Sequence, residues 1–179
     1  MKKLALSSLL LSMLLTLLPN IANAQADLEV VWEKPTEYHD VRPTSSTRTK
    51  FRAHVFSELE EYMRDKLMVR LADGQKFKMT VTDLDLAGQV WPGMMVGLNS
   101  SGDVRLVKQI DIPRIEFSYQ YLDVDGSVIK EGQENIKDMT FMDRASRISS
   151  SQNFRYEKAM IREWFNDHFK SYFIEKNSD

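Results

Sequence analysis

The residues best suited to chemistry are two aspartates separated by a single leucine. Asp83 and Asp85 flank Leu84, and side chains two positions apart on a β-strand project from the same face. A pair of carboxylates can act as general acid and general base, or supply two oxygen ligands to Mg²⁺ or Ca²⁺. A solvated strand end is the simpler interpretation, because two ligands do not make a calcium site. We therefore predict no metal and no cofactor, and we name Asp83 and Asp85 only as candidate binding residues.

Three arginines form a second group of candidate binding residues. Arg144, Arg147 and Arg155 lie in a serine-containing segment just before an apolar helical pattern. Arginines beside the unpaired amides of a helix N-terminus can bind an anionic group. In the alternative interpretation, Ser and Asn residues cap the helix, while Arg144 and Arg155 pair with nearby carboxylates such as Glu157. Arg114, at the start of a strand pattern, completes the candidate set.

The remaining motifs contain no catalytic constellation. No serine lies in a G-x-S-x-G nucleophile elbow, and no glycine-rich stretch ends in the Gly-Lys-Ser or Gly-Lys-Thr of a phosphate loop. His39, His54 and His168 lack the spacing of metal ligands, so we expect them at the boundary of the core. A small hydrolase is therefore an alternative that depends on carboxylates alone. These carboxylates are Asp83, Asp85, Asp111 and Glu116.

The composition excludes several classes of protein. The chain has 179 residues and no cysteine, which excludes disulfide frameworks, thiol nucleophiles, thiolate metal sites and acylated lipoproteins. Lys and Arg number 24 against 26 Asp and Glu, so the net charge is −2. This charge, without a basic cluster, argues against a nucleic acid partner.

The first 24 residues have the pattern of a cleavable export signal. Two lysines precede a leucine-rich run at residues 4–18, and Ala22 and Ala24 form the small-x-small site of signal peptidase. The run is shorter than the ~20 residues of a membrane span, so we expect cleavage after Ala24 and no stable membrane anchor. A retained N-terminal anchor is the alternative. The mature protein, residues 25–179, is predicted to be periplasmic with a net charge of −4.

The glycines divide the mature part into helical flanks and a strand-rich middle. All seven lie between Gly74 and Gly132, and glycine favours turns and weakens helices. At residues 50–72, apolar side chains recur every four positions, which is typical of an amphipathic helix. A second and unusually aromatic helix is predicted over residues 154–174.

Alternation of apolar and polar residues predicts the strands. They lie at residues 28–32, 76–82, 104–122 and 127–135, with loops at 87–102 and 137–153. The apolar phase changes near Asp83, which a bulge or the end of strand pairing would explain. Pro113 interrupts the long third strand and indicates an edge or a bulge, because proline lacks a donor for the ladder.

These elements predict an α+β fold. Two long helices would cover one face of a mainly antiparallel sheet of about four strands, a two-layer sandwich in the order β-α-β-β-β-α. The first strand, helix and strand would form a parallel crossover. We expect residues 25–179 to form one domain, with its core at about residues 28–174.

Several short motifs resemble, in combination, a proteobacterial family of exported proteins known as domain of unknown function 3016. The motifs are DLDLAG at 83–88, PRIE at 113–116, EG at 131–132, KDM at 137–139, and RYEK at 155–158 before WF at 164–165. The resemblance spans roughly residues 28–169. It implies a similar length and a signal peptide, and it implies no activity, cofactor or catalytic residue.

The sequence favours an exported, non-catalytic module that binds a protein or another envelope component. The carboxylate-dependent periplasmic hydrolase is the alternative, and a divalent-metal binder at Asp83 and Asp85 is a third hypothesis. An apolar loop at residues 91–95 either lies on the body of the protein or forms an exposed contact surface. A single cleft shared by Asp83, Asp85, Arg114 and Arg144 would support a binding site.

Overall fold

The computed structural model describes residues 25–99, 101–144 and 153–174. The predicted signal peptide, residues 1–24, lies outside the described residues. Among the residues described, none of the helices combines the length and the apolar character needed to cross a bilayer.

The described residues form an α+β fold, as predicted. The strands are β1 (Asp27–Trp32), β2 (Lys76–Asp85), β3 (Gln89–Pro92), β4 (Asp103–Leu106), β5 (Arg114–Leu122) and β6 (Val128–Lys137). The helices are α1 (Arg48–Lys66), α2 (Phe141–Arg144) and α3 (Arg155–Phe169). Short 3₁₀ turns lie at Met68–Arg70, Gly93–Val96 and Lys170–Tyr172. Both long helices therefore end earlier than the periodicity indicated, and each is followed by a 3₁₀ turn.

The main sheet is mainly antiparallel and four-stranded, in the order β1-β2-β5-β6. β1 is parallel to β2, so the chain makes the predicted crossover through α1, and the other pairs are antiparallel. The register of β2 against β5 shifts between Val81 and Asp83, which confirms the bulge predicted from the change of apolar phase. The turn at residues 123–126 joins β5 to β6.

Aromatic side chains join α3 to the sheet in one hydrophobic cluster. Phe77 of β2 stacks on Tyr119 of β5, with ring centroids 5.8 Å apart. The rings of Trp164 and Phe169 meet Phe77 edge-on at 6.4 and 5.4 Å, a favourable geometry for aromatic pairs. α1 adds three buried residues to this cluster. They are Val55, Leu59 and Met63.

The caps of the two long helices differ. The Thr47 side chain accepts a hydrogen bond from the Lys50 amide, at 3.4 Å, and begins α1. α3 instead follows Phe154, whose backbone is left-handed with φ 52° and which provides no side-chain cap. The cap position itself is thus neither Ser nor Asn. The serines of the preceding segment lie outside the described residues, and the burial of the aromatic face of α3 supports the helix.

Two predicted elements are wrong in the middle of the chain. Residues 87–102 are not a plain loop, because β3 within them pairs with β4 in a separate two-stranded sheet. The long strand predicted at 104–122 is two strands, β4 and β5. A turn in which the Asp111 amide donates to the Lys108 carbonyl, at 3.0 Å, separates them just before Pro113. The predicted order β-α-β-β-β-α therefore gives way to one with two additional short strands.

Candidate functional site

The strand register brings three charged side chains together at one end of the main sheet. Asp85, the last residue of β2, lies opposite Arg114, the first residue of β5. Arg114 in turn lies opposite Lys137, the last residue of β6. One end of three adjacent strands therefore carries a carboxylate, a guanidinium and an ammonium in a row.

A cavity of about 290 Å³ opens at this end of the sheet. Its charged lining consists of Asp40, Asp85, Asp111, Arg114 and Lys137. Apolar side chains complete the wall. They are Leu86, Ile110 and Ile112. We call this cavity the sheet-end cleft.

Asp83 holds the neighbouring arginine in place. Its Oδ2 accepts from Arg114 Nη2 at 3.2 Å and lies 2.9 Å from His39 Nδ1. The Asp83 side chain is largely buried, whereas His39 is exposed. Asp83 therefore pairs with Arg114 beside the cleft and does not line it.

Asp85 carries a perturbed carboxyl group. Burial is the main cause that raises the pKa of Asp85 above its ordinary value, and the nearby carboxylates of Asp40 and Asp83 raise it further. The Arg114 guanidinium acts in the opposite direction. The charged form of Asp85 is thus disfavoured by its surroundings, and an additional positive group in the cleft would stabilise it.

Two buried polar atoms at the cleft have no hydrogen-bond partner among the described residues. They are Asp111 Oδ2 and Arg114 Nε. A buried donor or acceptor without a partner costs about 1–3 kcal/mol. Such atoms are uncommon in folded proteins. Both residues line the cleft, so Asp111 Oδ2 is a candidate acceptor and Arg114 Nε a candidate donor for a bound group.

A loop before α1 carries Asp40 to the cleft and is fastened by two side chains. The hydroxyl of Tyr38 donates to the Val81 carbonyl at 2.7 Å. Arg105 Nη2 donates to the carbonyls of Asp40 and Arg42, at 2.8 and 2.9 Å. Asp40 itself has a left-handed backbone, with φ 43°. These bonds hold Asp40 in a conformation that is strained for a residue other than glycine.

One buried and one half-buried ionic group support the segment that follows Asp85. Glu157 of α3 is buried, and its Oε1 accepts from the Ala87 amide at 2.7 Å. Arg105 Nη1 donates to the Gly88 carbonyl at 2.6 Å. Burial raises the pKa of Glu157 and lowers that of Arg105. A Cβ on Gly88 would lie 2.5 Å from the Leu106 carbonyl oxygen, so the close approach of the two segments requires glycine.

The structure brings together only some of the predicted site residues. Asp85 and Arg114 line the cleft, and Asp83 lies behind it. Arg155 lies elsewhere, with Nη2 donating to the Tyr156 hydroxyl at 2.7 Å. Arg147 and the side chain of Arg144 lie outside the described residues. The predicted anion site at these three arginines therefore remains a prediction.

The carboxylates named for a hydrolase also separate into two groups. Asp85 and Asp111 line the same cleft. Glu116 Oε1 instead accepts from Asn135 Nδ2 at 2.7 Å on the neighbouring strand. Within the described ranges, no three His, Asp or Glu side chains are grouped so that they could hold a metal ion.

Sequence reasoning missed three residues of the site, and none of them had a reliable local signal. Asp40 lies in the extended segment between two prolines that had no assigned role. Counting the register of β5 and β6 back from their turn would place Ile136 opposite Arg114, and a register shift between Tyr121 and Leu122 puts Lys137 there instead. Glu157 had no signal, because an acidic residue in the first turn of a helix is usually exposed.

A second feature lies at the far end of the small sheet. The turn Gly93–Val96 joins β3 to the segment before β4, and Met94 and Met95 within it are exposed. Of the two predictions for this stretch, the exposed surface is the one that the structure supports.

Comparisons with known proteins identify a family and nothing more specific. The family described as "Protein of unknown function (DUF3016)" has a model that matches residues 26–167, which is most of the chain. No curated protein and no solved structure matches the chain. The match agrees with the resemblance in the motifs, three of which, at 83–88, 113–116 and 137–139, supply residues of the cleft.

Proposed function

The chain belongs to the DUF3016 family, and we propose that it is an exported, non-catalytic module that binds an envelope component in the sheet-end cleft. The observation that carries this proposal is the convergence of Asp40, Asp85 and Asp111 on one cavity. A buried and unpartnered oxygen of Asp111 lies beside it. A two-layer arrangement of helices on the sheet is part of the proposal, supported by the ring contacts of α3 with β2 and β5.

The charges of the cleft favour a cationic ligand group. Three carboxylates and two cationic side chains line it, and one of the two cations, Arg114, is paired with Asp83. The exposed side chain of Ile110 adds an apolar wall. An ammonium or guanidinium on a short alkyl stem fits this combination, because opposite charges attract strongly in a partly buried site. A lysine or arginine side chain of a partner and a free amine share this chemistry.

Probes of different charge test directly whether the cleft prefers a cationic ligand. Three small probes of similar size, butylammonium, butyrate and butanol, would be titrated while the amide resonances of Ala87, Gly88 and Gln89 are followed by NMR. We expect saturable shifts with butylammonium alone. Shifts of equal size with all three probes, or shifts with butyrate only, would contradict the proposal.

Matched aspartate variants test whether butylammonium binds in the cleft. Asp85→Asn combined with Asp111→Asn removes two lining charges, and we expect the butylammonium shifts to disappear. Asp65→Asn combined with Asp73→Asn removes the same charge at exposed positions outside the cleft. This control should leave the shifts unchanged. Loss of binding in both variants would show that only net charge matters.

The export part of the proposal has its own support and its own test. The N-terminal pattern of two lysines, a leucine-rich run and a small-x-small site supports cleavage after Ala24. Mass spectrometry of the protein from a periplasmic fraction should find Gln25 as the first residue. Recovery of the uncleaved chain from the cytoplasm would contradict export and leave the cleft untouched.

The carboxylate-dependent hydrolase is the second candidate, and one observation favours it. Asp85, whose pKa is raised, shares a cavity with Asp111, and two carboxyl groups in one cavity can divide the roles of general acid and general base. Chromogenic esters, phosphate esters and glycosides test it. Turnover by the wild type that is lost in Asp85→Asn and kept in Asp73→Asn would establish the hydrolase in place of the non-catalytic module.

A further inference from the structure

The turn at the end of the β3–β4 hairpin presents apolar side chains to solvent. Met94 and Met95 are 77% and 75% exposed, and Leu98 is 46% exposed. Met94 and Leu98 border a shallow depression at the hairpin end, together with Gly97 and Asn99. We call Met94, Met95 and Leu98 the methionine tip. Exposed apolar groups this close together usually mark a contact surface.

The methionine tip is held in a defined shape. The Gly93 amide donates to the Gly102 carbonyl at 2.9 Å, and the Leu98 amide donates to the Gly93 carbonyl at 3.0 Å. Gly97, with φ 78°, ends the 3₁₀ turn in a left-handed conformation that glycine adopts without strain. The tip is therefore a hydrogen-bonded turn that holds its apolar side chains outward.

The segment that forms the tip lacks charge. No Asp, Glu, Lys or Arg occurs at residues 89–102, although 28% of the chain is charged. Transfer of a charged side chain into hydrocarbon is costly, and the absence of charge removes this cost. Protein interfaces, in contrast, are usually surrounded by a polar rim that contains charges.

The root of the hairpin carries the residues typical of a membrane–water interface. Lys108 Nζ lies 5.0 Å from the centroid of the Trp91 ring. Tryptophan and lysine are favoured at the level of lipid headgroups, where an apolar body and a polar end meet different surroundings. Behind the apolar tip lie the exposed Asp103, paired with Pro92, and then Trp91 and Lys108. An apolar end followed by charged and amphipathic groups matches the layers of a bilayer surface.

From this order of side chains we propose that the methionine tip inserts into the surface of a lipid bilayer. Met94, Met95 and Leu98 enter the apolar layer, and Lys108 faces the anionic headgroups. The insertion is shallow and involves no membrane-spanning segment. This role is independent of the sheet-end cleft and of the compartment in which the protein resides.

The absence of cysteine allows a test at single positions. Met94→Cys carries an environment-sensitive nitrobenzoxadiazole label, and Met139→Cys, at a methionine that is 63% exposed on another surface, is the control. Each labelled full-length protein would be mixed with vesicles of phosphatidylethanolamine and phosphatidylglycerol. We expect a blue shift and a several-fold rise in emission for the label at position 94 alone. Nitroxide lipids should quench the emission of that label.

The emission changes of the two labels must be compared, because a retained N-terminal leader would bring both labelled proteins to the vesicles. No spectral change at position 94, or equal changes at 94 and 139, would overturn the proposal. The first result is also what a tip that binds a protein would give. Failure here leaves the binding of cations in the cleft unaffected.

Lys108 provides a finer test of the headgroup contact. Lys108→Gln should weaken the effect at position 94 on phosphatidylglycerol-containing vesicles and leave the weaker effect on pure phosphatidylcholine unchanged. An exposed lysine outside the hairpin gives the matched control, Lys66→Gln. Equal weakening by both substitutions would show that Lys108 makes no specific contact.

Discussion

The main sheet with its two long helices and the small β3–β4 hairpin are stabilised in different ways. In the main body, buried aromatic rings from α3 and from the sheet contact one another. In the hairpin, the methionine tip is exposed. The opposite end is held by hydrogen bonds that Arg105 of β4 donates to the carbonyls of Gly88 and Asp40. The body thus gains stability from burial, whereas the hairpin is positioned by polar contacts that leave its apolar end free.

The two regions meet at the sheet-end cleft, which depends on both. β2 and β5 of the main sheet supply Asp85 and Arg114. Arg105 of the small sheet holds the loop that carries Asp40 and the carbonyl of Gly88. A substitution in the body should therefore change global stability, while a substitution at the hairpin root should change the cleft first.

Loss of a central ring is the largest expected effect. Phe169 is fully buried and contacts the rings of Phe77, Tyr119 and Trp164. Phe169→Ala should lower the free energy of unfolding by about 3–5 kcal/mol, measured by urea denaturation. Tyr172→Ala, at a half-exposed ring of the same end of the chain, is the control and should cost clearly less.

Removal of the guanidinium at the hairpin root comes next. Arg105→Ala leaves the carbonyls of Asp40, Arg42 and Gly88 without their donor, and it should cost about 2–3 kcal/mol. Amide exchange should accelerate in β3, β4 and residues 38–42 before it does in α3. Uniform acceleration across the body would show that the two regions unfold as one unit. Arg105→Lys should restore only part of the protection, because lysine cannot reach several carbonyls at once.

The buried glutamate beneath the cleft gives a smaller effect that depends on pH. Because burial raises the pKa of Glu157, the folded protein binds more protons than the unfolded chain between the ordinary and the raised value. The stability contributed by this group is therefore present at low pH and falls as pH rises through that window. Glu157→Gln keeps an acceptor for the Ala87 amide and removes the titration.

The measurement is the difference in unfolding free energy between Glu157→Gln and the wild type across the acidic range. This difference should move in favour of the variant as pH increases. A difference that is constant with pH would mean that Glu157 has the same pKa in the folded and unfolded states. Glu163→Gln, at an exposed position of the same helix, is the control for a change of net charge.

Substitution of the methionine tip has the smallest expected effect on stability. Met94→Ser combined with Met95→Ser removes exposed side chains and should change the unfolding free energy within about 0.5 kcal/mol. Thermal or urea unfolding measures it. A loss comparable with that of Arg105→Ala would show that the tip packs on the body, and the contrast between the two regions would fail.

The sequence predicted the main body well because its helices and strands each bury one face, which leaves a periodic apolar pattern in the sequence. The four-residue spacing of apolar side chains indicated α1, and the change of phase near Asp83 indicated the bulge in β2. The same reasoning failed for β3 and β4. Neither short strand is buried on one face, so the alternation that reveals a half-buried strand is missing.

The candidate site was predictable only in part. Asp83, Asp85 and Arg114 were named because their residue types and local pattern suit binding, and the pairing of β2 with β5 brings them together. Asp40 was missed because its place depends on a loop held by Arg105 from a distant strand. Arg155 was named and does not line the cleft. Its guanidinium lies over the adjacent Tyr156 ring.

The sequence by itself determined which side chains face the core, since the periods of helices and strands are local properties of the chain. It also supplied the charges from which a binding site is made. Only the tertiary structure decided which of those charges meet, because Asp40, Asp85, Asp111 and Lys137 come from separate segments. Strand register and long-range hydrogen bonds bring them to one end of the sheet, and neither is encoded in local spacing.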